Sequence, residues 1–439
     1  MKTVYLAEKP SQARDIAKVL GIAPVRRDNY IELTNGDAVV AARGHFYELV
    51  EPKEYNPKWG EYWSWDQLPM IPNEFKYQAV HGVGEQLKTI KALFKTADRV
   101  VICTDAGREG ELIARLIIKQ LNFKGKLERF WTSSMVESDV KAALAKLLPG
   151  SAKEPLYQAA LARQHSDWVM GLSLTRAATL AAGLRGNTFS CGRVQTPTLA
   201  LVVQRTLAIK NFKEEAFYEL EATVTTKKGA TFKMKHEPGK ETPITTEAEA
   251  KRRLNLAKDY TGPIKVEKGP GKESPSLPFD ITSLGKAADA AIGIGSKPLL
   301  KVIQSLYEKK ALTYPRTDCP YLARSQKAEV EATLQAIARS QPDAVRKLRD
   351  VGIELRDSTF DDSKLTDHHG IIPTTQYVAL EGVEAQVYAL VAQRYLEAIA
   401  SDMRFNQTKL SVNANGIPFK ASGRAITHEG WSAIKATMH

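Results

Sequence analysis

The sequence predicts a mixed architecture: a doubly wound α/β domain first, then helical and β domains. Three observations predict it. Short apolar runs alternate with helical periodicity over residues 1–150. A basic stretch with helical character covers 156–211. Alternation with period two then appears at 217–225 and at 408–421, on either side of a helical stretch at 280–400.

The elements follow in order. TVYLAE (3–8) is a short apolar strand. The next helix has Pro10 near its start, a stripe of Ile16, Val19 and Leu20, and Gly21 as its stop. DAVVAA (37–42) reads as a strand and 85–97 as a helix. RVVICT (99–104) reads as a buried parallel strand, and GELIARLIIKQL (110–121) as the helix after it. PGSAKEP (149–155) carries a linker signal. From 141 to 210 there are nine Lys or Arg and two acids, Glu154 and Asp167. EPGKETP (237–243) and GPGKESPSLP (269–278) read as turns. The simplest topology is one β domain from about 215–275 and 403–439, with a helical domain inserted.

Composition narrows the function. Of 439 residues, 43% are hydrophobic and 26% charged, which excludes wholesale disorder, collagen and coiled coil. No run reaches the roughly 18 apolar residues of a membrane helix. The N-terminus has no signal-peptide core, so a cytosolic location is expected. Cys103, Cys191 and Cys319 are widely spaced, which argues for reduced thiols and against a zinc ribbon. The net charge of +12 favours a polyanion, chiefly nucleic acid.

TDAGREGELIA (104–114) places Asp105, Glu109 and Glu111 after a buried strand, where α/β sheets build their sites. Carboxylates gathered there repel unless a cation joins them, and Mg2+ suits hard oxygen ligands. Glu8, at the end of the first strand, faces the same crevice in this reading, and Lys9 is placed to hold a phosphate. Acids that complement a helix dipole explain the same residues, so both readings stay open.

In ARQHSDWVMGLSLTRA (162–177), Arg163 and Asp167 lie four apart on one helix face. FSCGRVQTPTLALVVQR (189–205) offers Arg193 and Gln195, which can reach phosphates or base edges. On spacing alone a structural ion pair is the stronger reading of Arg163 and Asp167, and a capped helix entry stands equal to DNA contact for Arg193 and Gln195. In ALTYPRTDCPYL (311–322), Tyr314 precedes Pro315 and is biased toward extended geometry, so Tyr314 and Arg316 would share a face. A tyrosine oxygen can form a covalent intermediate if a guanidinium steadies the phosphodiester; most tyrosines are packing residues. TDHHGIIPT (366–374) supplies His368 beside His369. YNPKWGEYWSW (55–65) holds three of the six tryptophans, for base stacking or for packing an irregular loop.

Together these segments resemble type IA DNA topoisomerases, the topoisomerase III branch in particular. The matching motifs are LAEKPSQARDIAKVLG, GHFYEL (44–49), TDAGREGELIA, SCGRVQTPTLA, LTYPRTDC and DHHGIIPT, in family order along nearly the whole chain. The resemblance implies a toroid of five parts: a Toprim metal-binding domain (1–150), a helical DNA-guiding domain (151–214), a first β part (215–279), a helical domain carrying Tyr314 (280–402) and a second β part (403–439). It implies that Tyr314 attacks one DNA strand to form a 5′-phosphotyrosine, that another strand passes, and that the break is resealed. Glu8 and Lys9 then sit beside the scissile phosphate, and Arg316 and His368 around it. Glu8, Asp105, Glu109 and Glu111 would hold Mg2+, although Gly107 stands where many relatives have a second aspartate. Arg163, Asp167, Arg193 and Gln195 would guide single-stranded DNA. The resemblance also implies a monomer and leaves a helicase partner open.

Relatives continue well past the HEGW segment (428–431), whereas this chain stops at His439. The expectation is a chain that binds and nicks single strands but relaxes supercoils poorly, with apolar helix faces exposed in 156–211. The competing readings are a DNA-binding or cleaving remnant without strand passage, and another Toprim enzyme such as a primase or nuclease. The latter does not account for YPRTD and GRVQTPT.

Overall fold

The computed structural model describes residues 2–21, 25–60, 62–132, 135, 137–183, 187–237, 243–366 and 368–435. Its elements are β1 (Thr3–Ala7), α1 (Pro10–Val19), β2 (Val25–Arg26), β3 (Tyr30–Glu32), β4 (Ala38–Ala41), β5 (Tyr47–Leu49), β6 (Tyr77–Ala79), α2 (Gly84–Thr96), β7 (Arg99–Cys103), α3 (Arg108–Gln120), β8 (Lys126–Arg129), α4 (Glu137–Ala145), β9 (Leu148–Pro149), α5 (Glu154–Ala182) and α6 (Gln195–Lys210). They continue with β10 (Glu221–Thr225), β11 (Thr231–His236), α7 (Glu247–Ala257), β12 (Lys265–Glu273), α8 (Ile281–Ile292), α9 (Ser296–Glu308), α10 (Val330–Ala338), α11 (Pro342–Val351), α12 (Gly382–Ile399), β13 (Met403–Ala414), β14 (Ile417–His428) and α13 (Ser432–Lys435). Two compact units result. One comprises Met1–Thr206, Arg316–Glu329 and Phe360–Gly370; the other comprises Leu207–Pro315, Val330–Thr359 and Ile371–His439. The stretch 280–402 is thus shared between them.

The first unit is built on a seven-stranded sheet in the order β2-β3-β4-β1-β7-β8-β9. Its centre, β4-β1-β7-β8, is parallel. Because successive side chains point to opposite faces, β1 and β7 are apolar on both. Val4, Leu6, Val100 and Ile102 pack with Ile90, Leu116 and Ile117 of α2 and α3. Tyr5, Ala7, Val101 and Cys103 pack with Ile16 and Ala17 of α1 and Val140 of α4. Each large aliphatic buried this way stabilises the fold by roughly 1.5–3 kcal/mol. The doubly wound expectation for this part is met.

The expected linker at 149–155 is bound into this unit instead. Gly150 N–H donates to Leu127 O, and Arg115 donates to Gly150 O. A Cβ at Gly150 would meet the Leu127 side chain at 2.5 Å.

The second unit carries an antiparallel sheet in the order β10-β11-β14-β13-β12. Asn415 (φ 53°) and Gly416 (φ 92°) turn β13 into β14, the left-handed pair that a two-residue hairpin requires. The expected turn at 269–278 is in part a strand: Gly269-Pro270-Gly271 lies within β12, opposite Gln407, Asn406 and Phe405. Two facts permit this. β12 is an edge strand, where proline is tolerated. The Phe405 ring fills the place of a side chain at Gly271, where a Cβ would lie 2.4 Å from Cε2. The other expected turn, 237–243, lies largely outside the described residues. Asp280 opens α8 with a capping box to Ser283. No described helix is long and apolar enough to cross a membrane.

Candidate active site

In the first unit, Ala7 pairs with Cys103 across parallel strands, so the residues that follow emerge side by side. The Asp105 N–H donates to Glu8 Oε2 at 3.2 Å. Lys9 Nζ donates to Asp105 Oδ2 at 2.6 Å, and His368 Nε2 lies 3.2 Å from the same oxygen. Gln12, one turn into α1, closes the group. Its Nε2 donates to Asp105 Oδ1, and its Oε1 accepts from the Glu8 N–H. Sequence reading missed Gln12, although its position four residues after Glu8 was the available signal.

The two carboxyls are driven apart. Burial pushes Glu8 above its ordinary range, and the Asp105 charge acts the same way. Burial alone would raise Asp105 too, but the His368 hydrogen bond and the Lys9 charge outweigh it and hold Asp105 well below that range.

The loop is held from beneath by Arg129, which is fully buried. It donates to the carbonyls of Ile102, Thr104, Asp105 and Phe130 and to Glu111 Oε1. Gly110 lets α3 approach: a Cβ there would meet Asp105 O at 2.2 Å.

The acids of this loop do not converge. Glu109 and Glu111 are two residues apart on a helix, about 200° around its axis. Glu111 is fully buried, with one oxygen on Arg129 and the other 2.7 Å from Arg115 Nε. It serves the fold, which corrects its expected place facing a cation. Glu109 lies 3.5 Å from His45 and 3.2 Å from Arg163, and the His45 hydrogen bond lowers its pKa. Glu8 and Asp105 remain as a pair of hard oxygen donors, the type of ligand that Mg2+ takes. Among the described residues no set of three or more His, Cys, Asp or Glu is arranged for a metal.

The segments around Arg316 and His368 are laced together. Thr317 Oγ1 reaches His368 O, Thr366 reaches Asp318, and Gly370 N–H donates to Tyr321 O. Arg316 is exposed. Asp367 lies outside the described residues. Tyr314 belongs to the second unit, where its ring stands edge-on to Tyr307 at 5.4 Å. Thr313 beside it exchanges two hydrogen bonds with Ile372, which fixes the loop.

Arg163 and Asp167 share a helix face but stand 3.9 Å apart. The closer partner of Asp167 is Arg193, at 2.8 and 3.2 Å. Gln195 donates to Ser190. In the aromatic stretch, Tyr55 and Trp59 pack on Trp168, whereas Tyr62 is 95% exposed. The three cysteines are unpaired. The apolar residues of α6 stand open to solvent, Leu199, Leu201 and Ile209 among them.

Comparison with known proteins identifies two families along the chain. The Toprim domain family matches residues 3–134, and the DNA topoisomerase family matches residues 151–439. DNA topoisomerase 3 of Bacillus thuringiensis (strain Al Hakam) is 36% identical over 442 residues, covering 99% of this chain and 59% of the relative. DNA topoisomerase 3 of Bacillus subtilis (strain 168) is 33% identical over 444 residues, with the same coverage. Full-length topoisomerase I of Thermotoga maritima shares the fold, with a TM-score of 0.61 at 20% identity over 99% of this chain and 68% of that one. The chain spans about three-fifths of the length of the curated relatives it matches. A family match over more than half of the chain, following the Toprim match, places this protein in the DNA topoisomerase family.

Proposed function

We propose that the chain carries out type IA topoisomerase chemistry on single-stranded segments of DNA. The observation that carries this reading is the cluster of Lys9, Asp105, Glu8 and His368 at the strand ends of the first unit. In the proposed reaction the Tyr314 oxygen bonds to phosphorus and the P–O3′ bond breaks. The tyrosine proton leaves to water, and the 3′-oxygen takes a proton from Glu8. Burial suits Glu8 to this role by keeping it protonated above the usual range. Lys9 and Arg316 hold the phosphodiester, and His368 orients Asp105. The reverse attack by the 3′-hydroxyl reseals the strand after another has passed, which relaxes or decatenates DNA.

Asp105 and, once its proton has passed to the 3′-oxygen, Glu8 are the residues that would hold Mg2+, which when bound would supply positive charge against the phosphodiester. Arg163 and Arg193 contact the DNA backbone, Asp167 holds them until DNA displaces it, and Gln195 lies beside them. The protein works as a cytoplasmic monomer, and a helicase supplying unwound strands fits its substrate. Relaxation of negatively supercoiled plasmid with and without Mg2+ tests the reading; no relaxation and no covalent adduct under either condition would refute it. A second reading, binding and nicking without strand passage, is favoured by the exposed apolar residues of α6. Adduct without relaxation would select it.

A further inference from the structure

A cavity of about 550 Å³ lies in the first unit between α1 and the β2–β3 hairpin, apart from the carboxylate cluster. Its origin is local: where Ala13 and Ala17 of α1 face Val39 and Ala41 of β4, the short side chains leave space. Tyr30 forms part of the wall. Four cations line it, Arg14, Lys18, Arg27 and Arg43, against one acid, Asp28. Arg27 is held by Glu32, and Lys18 lies 3.3 Å from Glu137. Among the described residues no carboxylate pairs with Arg14 or Arg43, and both are exposed.

Two further observations bear on an occupant. Arg43 has φ 63°, a left-handed conformation that a long side chain adopts at a cost, and its N–H donates to Glu8 O. Such strain persists where the surroundings fix a residue for a purpose. Gln86 spans the floor, with Nε2 donating to Asn29 O and Ala41 O, while its Oε1 has no partner among the described residues. An unfilled acceptor favours an occupant that brings a donor.

We propose that this cavity binds a nucleoside phosphate. A bare phosphate would leave most of the volume and the apolar wall unused, since cavities of this size take whole small molecules. A purely apolar ligand would leave the cations without a counter-charge. A flat base against Tyr30 and the alanines, with its phosphate on Arg14 and Arg43, uses both halves. The nucleotide is either free or the terminal residue of a strand; the chemistry is the same.

Calorimetric titration of the full chain tests this, with deoxyadenosine 5′-monophosphate, deoxyadenosine and inorganic phosphate as separate probes. The monophosphate binds saturably and more tightly than either part. Arg14→Ala and Arg43→Gly each weaken it roughly tenfold, as loss of a charge-assisted contact does. Glycine suits the positive φ at 43, so the fold is not at stake there. An oligo(dA) of about eight nucleotides, long enough to occupy a single-strand site, separates the two sources. Displacement of the monophosphate marks a strand terminus, and binding without displacement marks a free nucleotide. The proposal is overturned by no saturable binding up to about 5 mM, where even weak specific sites fill. It is also overturned by unchanged affinity in both variants, or by phosphate binding as tightly as the nucleotide.

Discussion

Lys9 Nζ lies 2.6 Å from Asp105 Oδ2, so the cation at the end of β1 already has a carboxylate partner from the end of β7. A phosphate must compete for it. Lys9→Ala is therefore expected to slow strand cleavage at least tenfold and to lower stability by roughly 1–3 kcal/mol, because the mostly buried Asp105 loses a charge that offsets its burial. Cleavage of a labelled oligonucleotide, read beside a melting curve, checks both halves. An unchanged cleavage rate would remove Lys9 from the reaction.

Tyr314→Phe removes a single oxygen and keeps the ring that packs against Tyr307. Covalent adducts with single-stranded DNA should vanish on denaturing gels while binding stays within about twofold. Adduct from the Phe variant would place the nucleophile elsewhere.

Glu111 and Asp105 should fail in different ways. Glu111→Gln breaks a buried network with Arg115 and Arg129 and should cost about 3–5 kcal/mol. Asp105→Asn should leave the melting temperature closer to that of the parent and shift the Mg2+ dependence of rejoining. Thermal melts and Mg2+ titrations of both variants decide this, and a stable Glu111→Gln protein would contradict the structural role.

Asp167 occupies Arg193 and lies near Arg163. Asp167→Ala should tighten single-strand binding and steepen its salt dependence by about one unit of slope, because freed cations release more counterions. Arg193→Ala should flatten that slope. Anisotropy titrations at several salt concentrations measure both, and a weaker, salt-insensitive Asp167→Ala complex would show that the pair is structural.

His369 gives a stability that depends on pH. Gly370 O can only accept, so Nδ1 carries the proton and Nε2 is left to accept from Gln326. Burial pushes this imidazole down to about 4. Between that value and the unfolded pKa near 6.5, the unfolded chain binds more protons. Stability is therefore full above about pH 6.5 and falls as pH drops toward 4, by on the order of 1–3 kcal/mol. Urea unfolding across that range, with His369→Gln as the comparison, tests the sign. A profile that is the same in both proteins would exclude His369 as its source.

Much of the first unit was legible because parallel strands buried on both faces leave unbroken apolar runs, and their ends locate Glu8, Lys9 and Asp105. The acids after Asp105 looked equivalent as letters. The helix separates them by its turn, and only Arg129, remote in sequence, reveals where Glu111 goes. Gly-Pro-Gly at 269–271 carries a turn signal locally, and an edge position together with the Phe405 ring overrides it. The pairing of Asp167 with Arg193 was hidden for the same reason, since 26 residues separate partners that no local periodicity links.

The same Gly-Pro-Gly strand has a consequence for how the protein behaves in concentrated solution. An unpaired sheet border invites a foreign strand to add to it, the first step toward fibrous assembly. β12 forms such a border over nine residues. Pro270 interrupts its row of donors, so a second copy meets a missing N–H. Replacing Pro270 with valine would restore a continuous template, and this border would then become a nucleus for aggregation.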